Sequence, residues 1–161
     1  MKIKLFAVLS VLVFVAACAK KQVVKPPEPV APVAESKEEP DVRAEWESIP
    51  ELAVVLFDYD KYDVRADARA ALVKNTEYLK NNAGLKVRVE GHCDERGTTE
   101  YNLALGQRRA SAIRDYYIRL GVPAARIATI SYGEEMPAVS GSTEGAWAKN
   151  RRAETKIGRG K

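Results

Sequence analysis

The chain has 161 residues, 46% hydrophobic and 30% charged, with a formal net charge of +4. That length suits one ordinary domain with accessory segments, and the charge is too mild to demand a polyanionic partner. Two cysteines, at positions 18 and 93, are too few for a disulfide framework or a Cys-rich zinc module. The chain starts with Met1-Lys2-Ile3-Lys4, and residues 5–17 are apolar except for Ser10. This run is too short to cross a bilayer as a helix, which needs roughly 20 apolar residues. A basic start followed by a short apolar run ending in small residues is the pattern of a secretory signal, expected to cover residues 1–17.

Val15-Ala16-Ala17-Cys18 closes the run and resembles the lipobox of bacterial lipoproteins, with Val15 where Leu is usual. The resemblance implies cleavage before Cys18 and three acyl chains on it. One acyl chain holds a protein on a membrane only marginally, whereas two or more hold it stably. Ala19 rather than Asp at the second mature position resembles lipoproteins sent to the outer membrane. Beyond Cys18 the composition changes: Pro26, Pro27, Pro29, Pro32, Pro40 and Pro50 are six of the chain's eight prolines. Large apolar residues are few there, so the segment cannot bury enough surface to offset its ordering entropy. Residues 18–50 are therefore expected to be a disordered, semi-rigid tether, with Trp46 the one residue that could pack on something.

A single domain is expected over residues 51–161. Ala53-Val54-Val55-Leu56-Phe57 reads as a strand covered on both faces, followed by a polar turn at residues 58–63. Residues 65–81 carry Ala68, Leu72 and Leu79 at helical spacing, with Ala71 and Tyr78 alongside, and Asn81-Asn82-Ala83-Gly84 is a helix stop. Leu85-Lys86-Val87-Arg88-Val89-Glu90 alternates, predicting a strand with one wet face. Residues 99–120 form the longest helical stretch, with Leu103, Ala110, Ile113, Tyr117 and Leu120 as its buried stripe. Residues 126–132 and 153–157 read as two further strands, joined by a polar connection containing Trp147. The order β-α-β-α-β-β predicts an α+β fold of two layers, helices over one face of a mixed four-stranded sheet.

Catalytic signatures are absent from the sequence: there is no G-x-S-x-G elbow, no P-loop and no G-x-G-x-x-G after a strand. The protein is not expected to be an enzyme. The single histidine, His92, would share a face with Asp94 in an extended segment, with Cys93 opposite, so three ligands cannot converge on a metal. His92 is expected to be a strand-end residue hydrogen-bonded to a backbone group, and Cys93 a buried apolar filler. Neither a metal nor a cofactor is expected. Arg108-Arg109 and Arg151-Arg152 have no aromatic stacking platform beside them, so no nucleic-acid partner is expected.

A binding site is better supported. Asn102, Leu105 and Arg109 fall at i, i+3 and i+7 of the long helix and share a face next to the buried stripe. A partly buried arginine there needs a carboxylate or phosphate partner. Alternatives remain at this point: Asp94 as a turn residue or helix cap, and a salt bridge between Arg109 and Asp94 themselves. The Arg151-Arg152 pair could equally anchor the last strand to acidic side chains of the loops.

Three segments together resemble the OmpA-like peptidoglycan-binding domain, in its peptidoglycan-associated lipoprotein branch. They are Phe57-Asp58-Tyr59-Asp60-Lys61-Tyr62-Asp63, the run from Val89 through Glu90-Gly91-His92-Cys93-Asp94-Glu95-Arg96-Gly97 to Thr98, and Ser131-Tyr132-Gly133-Glu134-Glu135-Met136-Pro137-Ala138. Cys93 is the main departure, at a position where relatives carry other small residues. The resemblance implies a ligand, the diaminopimelate of the peptidoglycan stem peptide, whose ammonium would face Asp94 and whose carboxylate would face Arg109. It further implies that Asp58 and Asn102 complete the pocket and that Arg96 and Leu105 line its rim. The implied setting is an outer-membrane lipoprotein anchored at Cys18, with its domain in the periplasm. Its partners would be the wall and TolB, the periplasmic propeller of the Tol system.

Overall fold

A computed structural model describes residues 45–159. The expected signal, the expected lipidation site Cys18 and the expected tether up to residue 44 lie outside the described residues. Within them the chain forms β1 (Trp46–Glu47), β2 (Val55–Leu56), α1 (Ala66–Asn81), β3 (Leu85–His92), α2 (Thr99–Arg119), β4 (Ile127–Gly133), α3 (Glu144–Asn150) and β5 (Arg152–Arg159). A 3-10 turn at Ala124–Arg126 leads into β4. The strand order is β1-β5-β3-β4, with β2 also pairing to β5. β3 runs parallel to β4 and antiparallel to β5, so the sheet is mixed, as expected.

Register builds the core. Val87 lies opposite Ile157 on one side and Ile127 on the other, and Val89 opposite Thr155. Residues in register share a face, and this face meets Leu72 and Leu79 of α1 and Ala110, Ile113 and Tyr117 of α2 in one cluster. Each fully buried Leu or Ile there contributes about 1.5–3 kcal/mol. The Thr98 hydroxyl accepts the Tyr101 amide at 3.2 Å and caps α2, worth about 1 kcal/mol.

One contact sets the height of α2 over the sheet. A Cβ on Gly91 would lie 1.9 Å from the Gly106 carbonyl oxygen, and one on Gly106 would lie 2.3 Å from Ser131 Oγ. Only two glycines allow the helix backbone to rest on the strand backbone here. The contact presses the first half of α2 against the end of β3, where the chain leaves the sheet through His92-Cys93-Asp94.

The structure corrects several expectations. β2 is not covered on both faces: Leu52, Val55 and Phe57 are buried, while Val54 and Leu56 are 49% and 44% exposed. Only two of its residues join the ladder, because the Ala53 amide and carbonyl are taken by the side chain of Asn75, at 2.9 and 3.0 Å. In α2 the buried stripe is Asn102, Leu105, Gly106, Arg109, Ala110, Ile113 and Tyr117; Leu103 and Leu120 are only half-buried. The wet face of β3 is wet only at its start. Glu90 and His92 are buried on it, and Glu90 is paired with Arg88. His92 is stacked on Tyr132 with centroids 5.5 Å apart; the Met136 backbone acts on its ring, as the expected backbone bond would, but too loosely to make a well-formed hydrogen bond to either nitrogen. Two elements were not expected. α3 occupies the supposed connection, and β1 lies on the tether side of residue 51, which makes the sheet five-stranded. Trp46 holds β1 in place, its ring 4.6 Å from the Arg88 guanidinium and packed over Gly158.

Candidate ligand-binding site

Where α2 crosses the end of β3, a cavity of about 140 Å³ opens between the turn after β2, the loop after β3 and the start of α2. Its polar floor has two poles. At one, Arg109 is fully buried. Its Nε donates to the Lys61 carbonyl at 2.8 Å, and Nη1 to the His92 carbonyl at 2.8 Å and to Cys93 Sγ at 3.3 Å. Nη2 donates to the Asp58 carbonyl at 3.2 Å. Among the described residues no carboxylate comes within 4.0 Å of this guanidinium, although Arg109 lines the cavity. Burial pushes its pKa down, with Cys93 and Asp94 opposing. It is a desolvated cation held by carbonyl dipoles, neutralised by nothing in direct contact.

At the other pole Asp94 is only 4% exposed. Oδ1 accepts the Arg96 amide at 3.1 Å and Arg96 Nε at 3.2 Å, and Oδ2 accepts Arg96 Nη2 at 2.7 Å and Arg151 Nη1 at 3.1 Å. Burial alone would raise its pKa, but the donors from Arg96 and Arg151 outweigh it and hold the carboxyl below its ordinary value. Asp94 is therefore ionised at neutral pH.

Cys93 sits between the poles. Its thiol donates to the Asn102 carbonyl at 3.3 Å, and burial pushes its pKa up to about 11. Asn102 Nδ2 reaches the carbonyls of Asp94 and Arg96 and, at 2.6 Å, Glu134 Oε2, tying the loop to α2. Leu105 supplies an apolar wall. Around the mouth, the Arg96 guanidinium is sandwiched between the rings of Tyr59 and Trp147, at 4.1 and 4.2 Å, and Tyr101 donates a short hydrogen bond to Asp60.

The OmpA family profile matches residues 56–151. The chain belongs to the OmpA family. Among relatives of this OmpA-family chain, a "Peptidoglycan-associated lipoprotein" of Rhizobium meliloti is 48% identical over 104 residues, covering 65% of this chain and 59% of the relative. A protein of the same name from Haemophilus influenzae is 52% identical over 99 residues, covering 62% and 65%. The match thus spans roughly three fifths of the curated relatives' length. The crystal structure of the peptidoglycan-associated lipoprotein from Burkholderia pseudomallei superimposes with a TM-score of 0.63 at 43% identity, over 65% of this chain and 88% of that one. The periplasmic domain of Helicobacter pylori MotB, at 16% identity and a TM-score of 0.59, shares the fold alone.

In this OmpA-family chain the cavity gathers Asp94, Arg96, Asn102, Leu105 and Arg109 of the expected set. Asp58 does not line it. Its carboxylate turns outward to Arg65 at 3.0 Å, and only its carbonyl serves the site, as an acceptor for Arg109. The salt bridge between Arg109 and Asp94 offered as an alternative does not form. Arg151 takes that place on Asp94 and also meets Glu144 at 2.8 Å, which fits its reading as an anchor to acidic loop residues. Arg152 pairs instead with Glu154 on its own strand. Tyr59, Asp60, Tyr101 and Trp147 at the mouth were not expected from the sequence. The available signal was aromatic residues, Tyr59, Tyr101 and Trp147, standing in polar stretches of the sequence and outside its apolar stripes.

Proposed function

We propose that the chain is a non-catalytic lipoprotein of the outer membrane that binds peptidoglycan non-covalently. The cavity would take the free end of diaminopimelate in the stem peptide. One observation carries this reading: a single small cavity presents a buried guanidinium with no carboxylate partner and, beside it, an ionised carboxylate. A carbon bearing both a carboxylate and an ammonium complements those two poles. Arg109 would take the carboxylate, through its charge and the one N–H its neutral acceptors leave free, and Asp94 the ammonium. Asn102, Leu105 and Arg96 would shape the walls, and Asp58 would act through its carbonyl. The relatives' shared name, peptidoglycan-associated lipoprotein, supports peptidoglycan as the partner.

The rest of the proposal follows from the sequence pattern. Acyl chains on Cys18 would anchor the protein, residues 18–50 would tether it, and the domain would hold the wall. A role with the Tol system through TolB, serving envelope integrity and cell division, belongs to the same reading.

The test is co-sedimentation of the full chain with purified sacculi of two kinds, bearing diaminopimelate or lysine in the stem peptide. Retention on the first and loss on the second is expected. Equal retention on both, or none on either, overturns the ligand assignment. Release of soluble wall fragments would point to a hydrolase instead.

A further inference from the structure

We propose that Arg96 is an internal stand-in for the ligand's cation, occupying Asp94 in the empty protein and leaving when an ammonium arrives. The inference rests on the wall-binding reading and concerns how that site chooses its ligand.

The acceptor count leads to it. A carboxylate has about four lone-pair sites, and Asp94 receives four bonds: three from Arg96 and one from Arg151. An incoming ammonium therefore finds no open acceptor and must displace a donor. The backbone amide of Arg96 is fixed by the loop. Arg151 is also fixed: its side chain is 8% exposed and is tied as well to the Phe57 carbonyl at 3.2 Å and to Glu144. The Arg96 guanidinium is the exchangeable donor. Its side chain is 30% exposed, and its fallback contacts are already in place. Glu144 Oε2 lies 3.7 Å from Nη1, and the rings of Tyr59 and Trp147 flank the group. It can slide off Asp94 while keeping a counter-charge and both aromatic faces.

The two poles then play unequal parts. Arg109 has no carboxylate to give up: four of its five N–H groups are taken by neutral acceptors, so a ligand carboxylate gains the remaining one and an uncompensated positive charge. A ligand ammonium only replaces a guanidinium already on Asp94, and gains the difference between two cations. Binding is led by the carboxylate, and Arg96 compresses the protein's preference for the amine.

The experiment uses the full-length protein in detergent with Trp46→Phe, which leaves Trp147 as the sole indole. The probes are short peptides ending in diaminopimelate, in 2-aminopimelate (no amine on the free end) or in lysine (no carboxylate on the free end). With Arg96 present, the 2-aminopimelate peptide should bind within about tenfold of the diaminopimelate peptide. The lysine peptide should bind at least about tenfold more weakly than the 2-aminopimelate one. With Arg96→Gln the gap between the first two should widen by about tenfold or more, because nothing replaces the missing ammonium. Binding of the diaminopimelate peptide should change Trp147 emission when Arg96 is present and leave it nearly unchanged in Arg96→Gln. Arg96→Lys, which keeps a cation, should keep the gap narrow, and it serves as the test if Arg96→Gln does not fold. An unchanged gap with both affinities lowered alike makes Arg96 an ordinary contact and overturns the proposal alone. A lysine peptide that binds as well as the 2-aminopimelate one also overturns it. Failure of every probe to bind the unsubstituted site overturns the wall-binding reading together with this one.

Discussion

Replacing Arg109 with alanine separates two things the guanidinium does at once. Its N–H groups satisfy the carbonyls of Asp58, Lys61 and His92, at 3.2, 2.8 and 2.8 Å, and so fasten the turn after β2 and the end of β3 to α2. A buried acceptor left without a donor costs about 1–3 kcal/mol. Water entering from the cavity mouth would hold each near the lower limit, giving about 3 kcal/mol for the three. Removing a cation that burial already penalises offsets part of this, leaving a net loss of about 2 kcal/mol. For a domain of this size that lowers the melting temperature by roughly 6–12 °C. Ligand binding should suffer more, because the ligand carboxylate would be buried without a partner. A loss of about 2–5 kcal/mol is typical, which is about 30-fold or more. Scanning calorimetry gives the first quantity, and titration of a diaminopimelate peptide at 15–20 °C, below about any plausible melting point, gives the second. Arg109→Lys should regain part of the stability, since one ammonium can reach one or two of the carbonyls, and little of the binding. Arg69→Ala, at an exposed position of α1 outside the cavity lining, should match the unsubstituted protein in both. If Arg109→Ala melts low yet binds normally, the guanidinium is a fastening and the ligand assignment is refuted.

Gly91→Ala would place a methyl 1.9 Å from the Gly106 carbonyl. It should destabilise the domain by about 3 kcal/mol or more, measured by urea unfolding, because only backbone movement can relieve the clash. His92 is held down to about 4 from its ordinary 6.5, chiefly by burial and then by Arg152. Below pH 6.5 the unfolded chain takes up a proton that the folded chain refuses, so stability should fall by on the order of 3 kcal/mol between about pH 6.5 and pH 4. His92→Phe should flatten that window in a pH series of melts. Asp94 and Glu154, whose folded values are lowered, contribute their own loss only as pH falls further through the carboxylate range. The Cys93 thiol, at about 11, should react with a maleimide at pH 8 roughly 100-fold more slowly than a free thiol, and fast labelling of the native protein would contradict its burial.

The sequence disclosed what is periodic and hid what is tertiary. α1 and α2 run 16 and 21 residues, long enough for a 3.6-residue pattern to repeat, and β3 alternates for its first six residues. α3 has seven residues, among them Gly145 and Trp147, and two turns give no period to read. β1 has two residues, and its position is fixed by a tryptophan meeting an arginine over 40 positions away in sequence. The continuous apolar run at residues 53–57 misled because an asparagine on α1, and not a neighbouring strand, satisfies Ala53. At the site, Asn102, Leu105 and Arg109 were legible as one helix face, and the loop motif placed Asp94 with them. The division of labour was not legible. Nothing in the spacing says that Asp94 pairs with Arg96 and Arg151 while Arg109 is left to carbonyls, or that Asp58 turns its carboxylate away.

The strand order has a consequence for synthesis. β5 is the last of the described elements to be made, yet it lies between β1 and β3 and also carries β2. A chain emerging from its N-terminus has produced all the helices and four of the five strands among the described residues before the sheet has a centre. β2 has no pairing partner until residues 152 and 153 are made and β1 none until residues 157 and 158 are, and until then β3 leaves one edge unpaired. No early portion can therefore settle as a finished unit. The fold closes in one late step, through contacts between residues far apart in sequence, which is the slower regime for a domain of this size. In that interval the open edge of β3 is available to other unfinished chains. Loss of β5 would remove the middle of this sheet, and trimming only its last two residues already unpairs Trp46 from Gly158 and Leu85 from Arg159.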